Sequence, residues 1–254
     1  MGLFTGTADY YDAYRPDVPQ AVIDCILQAV PVPISLLDLG TGTGRITEQF
    51  APYFSDIVSV EPDEDMAKIA RRRLERFQAR VIRATAEDVM LPEGWQASLV
   101  TISRAFHWMD RATVVRRLES IVAPGGVVAI FSDESFWGLQ EAWAQAVKRV
   151  IQQYMGEERR TAMGSYKPPR EYFREHFSSS AFTAVATHRV PVVRQWTADQ
   201  ILGYLYSTSF ASHAVLGKHT AAFERTVRSE LAQLSPADTF TEHNAFDILL
   251  VKRP

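Results

Sequence analysis

The sequence predicts an α/β fold, in which a largely parallel sheet is covered by helices. Three observations lead to this prediction. A short apolar run at residues 34–39 is typical of a strand buried on both faces. A loop with glycine at alternate positions follows at 40–44 and opens a helix at 45–50. A second strand at 56–60 then ends on an acid, Glu61, which is placed to accept hydrogen bonds from the two hydroxyls of a ribose.

Length and composition favour a single enzyme domain. The chain has 254 residues, of which 46% are apolar, and a formal net charge of −3. A core of this size commonly belongs to one α/β domain, and the charge offers no basic surface to nucleic acid. The one cysteine cannot form an internal disulfide, and no apolar run reaches the roughly 18 residues of a membrane span. We expect a cytoplasmic protein without nucleic-acid or membrane partners, and its oligomeric state stays open.

The N-terminal segment 4–16 is rich in aromatic residues, with Tyr10, Tyr11 and Tyr14 in front of Arg15. Such a segment has two interpretations. The rings pack against the core, or the segment folds over a ligand as part of a lid. A helix with apolar residues at helical spacing follows at 18–30.

Beyond Glu61 the pattern alternates between helices and strands. Asp63 is a suitable N-cap for a helix whose apolar residues, from Met66 to Phe77, recur at helical spacing. The further predicted elements are strand 81–84, turn 85–88, strand 97–103, helix 111–122, turn 124–126, strand 127–132, helix 136–155, loop 156–169, helix 170–177, strand 182–196 and strand 244–252.

Several motifs carry a resemblance to a known family. The pattern D-x-G-x-G-x-G at 38–44, followed by V-x-V-E-P at 58–62, resembles the S-adenosylmethionine (SAM) site of the class I methyltransferases. The run A-x-Y-Y-x-x-Y-R-P near the N-terminus is similar to the start of a group that includes the trans-aconitate methyltransferases. The segment 104–110 resembles the Q-A-F-H-W-F-D of the same group, with Arg104 where glutamine is usual.

The resemblance implies a Rossmann-like sheet with strand order 3-2-1-4-5-7-6, its last strand antiparallel, and a helical cap formed by C-terminal insertions. It also implies one methyltransferase domain over 1–254. Its predicted parts are a lid and helix at 1–30, a SAM-binding core at 31–132, cap insertions at 133–180 and 197–235, and closing strands at 181–196 and 239–254.

The cofactor implied by the resemblance is SAM, without a metal. Arg15 would pair with its methionyl carboxylate, Glu61 would bind the ribose, and the turn from Thr85 would read the adenine edge, although an ordinary helix N-cap also explains that turn. The residues expected to bind the cofactor are Tyr11, Arg15, Asp38, Gly40, Thr41, Gly42, Gly44, Glu61, Pro62, Met66, Thr85, Ala86, Glu87, Ser103, Arg104 and Ala105.

The acceptor pocket is expected at the wall after the fourth strand and in the cap. The guanidinium of Arg104 indicates an unusual acceptor contact, or else it points to solvent or pairs with a local carboxylate. The helix around Tyr204 carries hydroxyls and aromatic rings, but ordinary helix packing also explains it. The residues expected to bind the acceptor are Tyr14, Phe106, His107, Trp108, Phe136, Trp137, Tyr204, Ser207 and Phe210.

We therefore predict a SAM-dependent methyltransferase that modifies a carboxylate or hydroxyl oxygen of a small molecule. Such a reaction depends mainly on positioning in a dry pocket. His107 is the candidate general base for a hydroxyl acceptor, whereas a carboxylate needs none, and the histidine would then hold the wall. Two other functions stay open. The fold could serve a non-methylating step, pericyclic or decarboxylative, or the chain could bind SAM without turnover.

Overall fold

The computed structural model describes residues 6–156 and 173–254, and within this part the side chains of 184 and 185 are left aside. The described residues form two compact units. The core unit comprises 17–133, 173–190 and 246–254. The helical unit comprises 6–16, 134–156 and 191–245. Two strands, at 183–196 and 240–252, contribute residues to both units.

The first half of the core unit alternates helices with strands, as the apolar pattern predicts. The bounds of these elements are α2 Gln20–Leu27, β1 Ser35–Leu39, α3 Arg45–Phe50, β2 Asp56–Val60, α4 Glu64–Leu74, β3 Arg80–Ile82, β4 Ala97–Ser103, α5 Arg111–Ile121 and β5 Val122–Asp133. Asp63 is the N-cap of α4, since its Oδ1 accepts the Met66 amide at 3.1 Å, which confirms the predicted cap.

The remaining elements are α1 Ala8–Tyr14, which precedes the core unit in the chain, and α6 Ala142–Met155, β6 Thr183–Trp196, α7 Ala198–Tyr206, α8 His213–Leu216, α9 Thr220–Leu234 and β7 Phe240–Lys252. Short 3-10 turns occur at 51–53, 75–77, 106–108, 136–138 and 217–219. The sheet has seven strands in the order β3-β2-β1-β4-β5-β7-β6. β1 runs parallel to β2 and β4, whereas β7 is antiparallel to β5. The predicted strand order and antiparallel last strand are thus confirmed.

Both faces of the central strands are buried. On one face Leu37 and Val100 pack with α5, and on the other Leu36 and Leu99 are likewise inaccessible to solvent. A strand covered on both sides reads as a continuous apolar run, which is why β1 was recognisable in the sequence. In such a sheet the carboxyl ends of the parallel strands share one edge, and that edge positions the candidate site.

The helical unit has its own apolar core. Trp143, Leu205 and Phe223 bring α6, α7 and α9 together, and further aromatic rings surround them. α7 begins with a capping box, in which the Thr197 hydroxyl accepts the Gln200 amide and the Gln200 side chain accepts the Thr197 amide.

Two predicted elements differ from the structure. The helix expected over 136–155 is broken between Gly138 and Ala142. Side chains of Lys148 and Gln145 donate to the Leu139 carbonyl there, at 2.5 and 2.8 Å, in place of helical amides. The turn expected at 124–126 lies instead within β5, because the Gly125 amide donates to the Arg253 carbonyl at 2.9 Å and keeps the segment in the sheet.

Other predicted boundaries differ from the observed ones or lie outside the described residues. β7 begins at Phe240, four residues before the predicted start, and β3 at Arg80, one residue before it. Most of the predicted loop 156–169 and the start of the helix predicted at 170 fall within 157–172, outside the described part. Residues 173–175 are helical. The division into a single domain with cap insertions stays a prediction.

Replacing Thr47 with Val should destabilise the core unit by about 1–3 kcal/mol, since it removes a hydroxyl that donates to the buried Asp38 carboxylate. Burial raises the pKa of Asp38, and its hydroxyl partners oppose that rise. Because the pKa of Asp38 is raised on folding, the folded protein loses stability as the pH rises. Thr47→Val removes a hydroxyl that opposes this rise, so it raises the pKa of Asp38 further. The loss should therefore be larger at about pH 8 than at about pH 5.

Urea unfolding at both pH values measures this loss. Thr187→Val, on an exposed position of β6, is the matched control and should change stability by less than about 0.5 kcal/mol. Thr47→Ser should restore most of the stability. Equal unfolding midpoints for Thr47→Val and Thr187→Val would contradict the assignment.

Candidate functional site

Asp38 lies beneath the glycine loop and is 1% exposed. Thr47, from α3, donates its hydroxyl to Oδ2 at 2.6 Å, and Thr101, from β4, donates to Oδ1 at 2.8 Å. The Thr47 oxygen also lies 2.7 Å from the Thr41 hydroxyl of the loop. The structure thus places the Asp38 carboxylate among protein hydroxyls, where it joins the first strand, the loop, the helix and the neighbouring strand. Direct contact with a cofactor stays a prediction.

The glycine loop turns sharply at the carboxyl end of β1. Gly40, Gly42 and Gly44 have φ values of 72°, 58° and 83°, in the left-handed region that favours glycine. The amides of Gly40 and Thr41 both donate to the Val60 carbonyl, at 2.9 and 3.0 Å. A Cβ on Gly40 would stand 2.5 Å from that of Ala105. A larger residue is therefore excluded there by both conformation and space.

Glu61 follows β2 and is held beside this loop. Its Oε2 accepts the Gly42 amide at 2.8 Å, and its Oε1 accepts the Asp63 amide at 3.0 Å. Burial raises the pKa of Glu61, while these two amides oppose the rise. Each carboxylate oxygen has a second lone pair with which to accept a hydroxyl. The acid is thus fixed in position and retains the capacity to bind two ribose hydroxyls.

Ser103 ends β4 at the same edge of the sheet. Two residues before it, Thr101 pairs in register with Asp38. The Ser103 hydroxyl is buried and has no hydrogen-bond partner in the described part of the chain. Buried polar atoms normally have partners, so an orphaned hydroxyl here fits a polar ligand. The glycine loop, the fixed acid and this hydroxyl together fit a nucleoside-containing cofactor.

The predicted adenine turn follows β3. The Thr85 hydroxyl donates to Asp88 at 2.9 Å, and Glu87 Oε1 accepts the Asp110 amide at 2.6 Å. Ala86 is buried. The Glu87 carboxylate thus ties this turn to the segment after β4.

The two expected cofactor residues after Glu61 lie at the start of α4. Met66 is buried and donates its amide to the Asp63 cap, while the Pro62 side chain is exposed.

Arg104 turns the chain at the end of β4. It has a φ of 53°, which is uncommon for a residue with a Cβ, and its amide donates to the Phe131 carbonyl at 3.2 Å. Its Nε donates to Asp133 at 2.6 Å, and its Cζ lies 5.4 Å from the centre of the Phe246 ring. The second of the two interpretations of Arg104, pairing with a local carboxylate, is therefore the one observed. This turn brings Ala105 onto Gly40.

The wall after Arg104 is a 3-10 turn, Phe106–Trp108. Phe106 was expected to face the acceptor, but it is 1% exposed and packs on Phe173 and Phe177, so the structure places it in the core. His107 and Trp108 are only partly buried, and their ring centres lie 4.6 Å apart. Of the three, His107 and Trp108 are the side chains left at the surface of this wall.

The pKa of His107 is lowered from 6.5 to about 4. Burial is the main cause, and the positive charge of Arg111, on the following helix, adds to it. Arg111 is held nearby, with Nη2 3.5 Å from the His107 carbonyl oxygen. The imidazole is therefore neutral at physiological pH, and it is a weak base.

The other expected site residues belong to the helical unit. Arg15 lies between the rings of Tyr11 and Tyr204 and donates to Ser207. The Tyr14 ring packs on the backbone of Gly203, in the space that a Cβ would occupy. The remaining expected residues form a group of aromatic contacts in this unit: Phe136 with Tyr204 at 6.3 Å and Trp137 with Phe210 at 5.3 Å.

Sequence reasoning missed four residues that shape the site: Thr47, Thr101, Arg111 and Asp133. Asp133 had a signal, because it ends a strand next to the one that carries Arg104, and parallel strands end at one edge. Thr47 and Thr101 had no such signal, since no sequence pattern marks these two hydroxyls, nine and 63 residues from Asp38, as the ones that turn toward it.

Two kinds of feature are absent from the described ranges. No group of three or more His, Cys, Asp or Glu side chains is arranged to hold a metal ion. Of the helices between residues 6 and 254 that the structure describes, none is both long and apolar enough to cross a membrane.

Comparison with known proteins agrees with this geometry. A family model described as a methyltransferase domain matches residues 37–130, which include the glycine loop and Glu61. An uncharacterized methyltransferase from Mycobacterium tuberculosis is 26% identical over 236 residues, covering 91% of this chain and 87% of its own. The trans-aconitate 2-methyltransferase of Variovorax paradoxus is 34% identical over 112 residues, 41% of each chain.

A solved structure has the same fold. It is that of a candidate type II methyltransferase from Anaeromyxobacter dehalogenans, with a TM-score of 0.62 at 21% identity, covering 94% of this chain and 97% of the other. The strand order 3-2-1-4-5-7-6, the D-x-G-x-G-x-G loop and these matches agree, and the chain has the fold of the class I methyltransferases, with residues 37–130 matching a methyltransferase domain.

Proposed function

We propose that the chain binds SAM at the edge of the core unit and transfers its methyl group to an oxygen of a small molecule. The observation that carries this proposal is the placement of Glu61, whose two oxygens are fixed by the amides of Gly42 and Asp63 beside the glycine loop. A preorganised acid of this kind suits a ribose, and the loop admits a ligand without requiring a phosphate.

The residues of the core unit have separate parts in this proposal. When bound, SAM supplies a methyl group on a positively charged sulfonium sulfur. Glu61 holds the ribose, Thr85 to Glu87 contact the adenine, and the Ser103 hydroxyl gains a partner. Asp38 fixes the loop through Thr47 and Thr101, and Pro62 and Met66 line the side of the ribose. With the donor fixed in this way, orientation of the acceptor accounts for most of the rate.

Within this proposal a carboxylate is the favoured acceptor. A general base works best when its pKa lies near the working pH, and His107, with a pKa of about 4, is a weak base at neutral pH. A hydroxyl acceptor must lose a proton, whereas a carboxylate has already lost it. The Variovorax relative named above acts on trans-aconitate, which is itself a carboxylate. His107 and Trp108 then hold the wall of the pocket.

The proposal is tested by incubating the purified chain with SAM and a panel of carboxylic acids, phenols and sugars. S-adenosylhomocysteine (SAH) release and the product mass are measured together. We expect methyl esters from the acids. Turnover of phenols or sugars alone would show that the acceptor group is a hydroxyl and not a carboxylate. No turnover with any compound would favour a non-methylating or non-catalytic role.

Replacing Glu61 with Ala should weaken SAH binding by about 10- to 100-fold, which corresponds to the loss of roughly 1.5–3 kcal/mol from charge-assisted hydrogen bonds. Isothermal titration calorimetry measures the change. Glu64→Ala removes a carboxylate from the first turn of α4, where it is exposed and paired with Arg71, and it should leave the affinity unchanged. Unchanged affinity in Glu61→Ala, or tight NAD binding by the parent chain, would contradict the ribose assignment.

Replacing His107 with Gln should leave the shape of the pH–rate profile unchanged between about pH 6 and pH 8, since the imidazole is neutral throughout that range. The acceptor KM should rise instead. A base titrating near neutrality would give an inflection that the variant loses, together with a fall in kcat of about 10²-fold or more. Steady-state kinetics with an acid from the panel measures both.

A stability measurement checks the same pKa without an acceptor. A histidine whose pKa is lowered on folding stabilises the protein above its unfolded pKa, and this contribution is lost as the pH falls through the folded value. Between pH 6.5 and about 4 the parent should therefore lose more stability than His107→Gln. His188→Gln, at an exposed strand position, should follow the parent.

A further inference from the structure

The glycine loop lies directly against α4. A Cβ on Gly44 would stand 3.2 Å from the Cα of Ala70 and 3.2 Å from Cδ1 of Leu74. Ala70 and Leu74 are inaccessible to solvent and lie four residues apart, on one face of the helix. Arg73, three residues after Ala70, belongs to the same face and lies in the last turn of α4. Its side chain is therefore placed beside the loop.

Arg73 makes two contacts with the segment that contains the loop. Its Nε donates to the Thr43 carbonyl oxygen at 3.1 Å, and its Nη1 donates to Oε2 of Glu48, in α3, at 2.5 Å. Within the described part of the chain, the Thr43 carbonyl accepts no other hydrogen bond. Arg73 thus joins the last turn of α4 both to the loop and to the helix that follows the loop.

Gly42 lies between two points at which the loop is anchored. On one side the amide of Gly42 donates to Glu61, and on the other the carbonyl of Thr43 accepts from Arg73. Of residues 41–44, Gly42 is partly accessible to solvent, while the other three are buried. The part of this segment that a ligand can reach is therefore the part that the two anchors fix.

A second arginine, Arg76, provides a comparison. It pairs with the other oxygen of the Glu48 carboxylate at 2.8 Å, but its side chain is 68% exposed and makes no hydrogen bond to the loop among the described residues. Partly exposed ion pairs contribute little to stability, so the shared pairing with Glu48 does not account for Arg73. The hydrogen bond to the Thr43 carbonyl is what distinguishes Arg73 from Arg76.

We propose that Arg73 is a positioning residue for the cofactor, which holds the glycine loop in its binding conformation before a ligand arrives. A loop with three glycines has much conformational freedom to lose, and holding it in the free protein lowers the cost of binding. Arg73 acts through Thr43 and the neighbouring Gly42, not by touching the ligand. This role rests on the proposed function, in which SAM binds at the loop.

The first experiment needs no ligand. Hydrogen–deuterium exchange, followed by mass spectrometry on the full chain, measures how firmly the loop is held. The amides of residues 40–44 should exchange several-fold faster in Arg73→Gln than in the parent. Arg76→Gln is the matched control, because it loses only a pairing with Glu48, and it should exchange like the parent. Equal exchange of the loop amides in the two variants overturns the proposal.

The second experiment measures SAH affinity by calorimetry. Arg73→Gln should bind SAH about tenfold more weakly than the parent, and Arg76→Gln should bind it equally well. The ammonium group of Arg73→Lys can pair with Glu48 but cannot also place a donor where Nε meets the Thr43 carbonyl. This variant should therefore keep the urea unfolding midpoint of the parent and bind SAH as weakly as Arg73→Gln. Full SAH affinity in either Arg73 variant overturns the proposal.

The two measurements separate this role from the proposed function. If the parent does not bind SAH, the proposed function is rejected, and the positioning role with it. If the parent binds SAH through Glu61 and Arg73→Gln binds it equally well, only the positioning role is rejected. If Arg73→Gln does not fold, Arg73→Lys, which keeps the ion pair, replaces it in both measurements with the same expected results.

Discussion

The buried carboxylate of Asp38 is the constraint on which the candidate site depends. A charge removed from water is costly unless hydrogen bonds compensate it, and here the hydroxyls of Thr47 and Thr101 offset part of that cost. Those two donors come from the helix after the glycine loop and from the neighbouring strand. The Asp38 carboxylate, which lies beneath the glycine loop, therefore fixes the position of that loop. Glu61 is fixed in the same way from the other side, through the amides of Gly42 and Asp63.

The opposite wall of the site depends on an unusual backbone conformation. Arg104 adopts a left-handed φ of 53°, a conformation that costs energy for a residue with a Cβ. Its ion pair with Asp133 and the hydrogen bond from its backbone amide to the Phe131 carbonyl tie the ends of two strands together and compensate for that cost. The turn then sets Ala105 against Gly40, which leaves no space for any side chain at the glycine. Loop and wall thus fix each other.

In the helical unit, the charged group of Arg15 lies among aromatic rings. Tyr11 and Tyr204 enclose the Arg15 guanidinium, and Tyr14 lies flat on the backbone of Gly203. Ordinary packing and ligand binding were competing explanations for these aromatic residues. Packing accounts for Tyr14, and within the described part of the chain the Arg15 guanidinium contacts two rings and a serine. Whether the segment also folds over a ligand stays a prediction.

The sequence by itself determined the local elements and their order: the strand, glycine loop and helix from 34 to 50, the Asp63 cap, and, through the family motifs, the arrangement of all seven strands. These features are encoded by residues close together in the chain, through apolar period, glycine conformation and capping. Only the tertiary structure decided which groups meet. Thr101 lies 63 residues from Asp38, Asp133 lies 29 from Arg104, and Ser207 lies 192 from Arg15. Such pairings depend on strand register and on the packing of distant helices. For that reason no local pattern could reveal that Arg15 is held by tyrosines and a serine, and the partner of Arg104 could be inferred only from the predicted order of the strands.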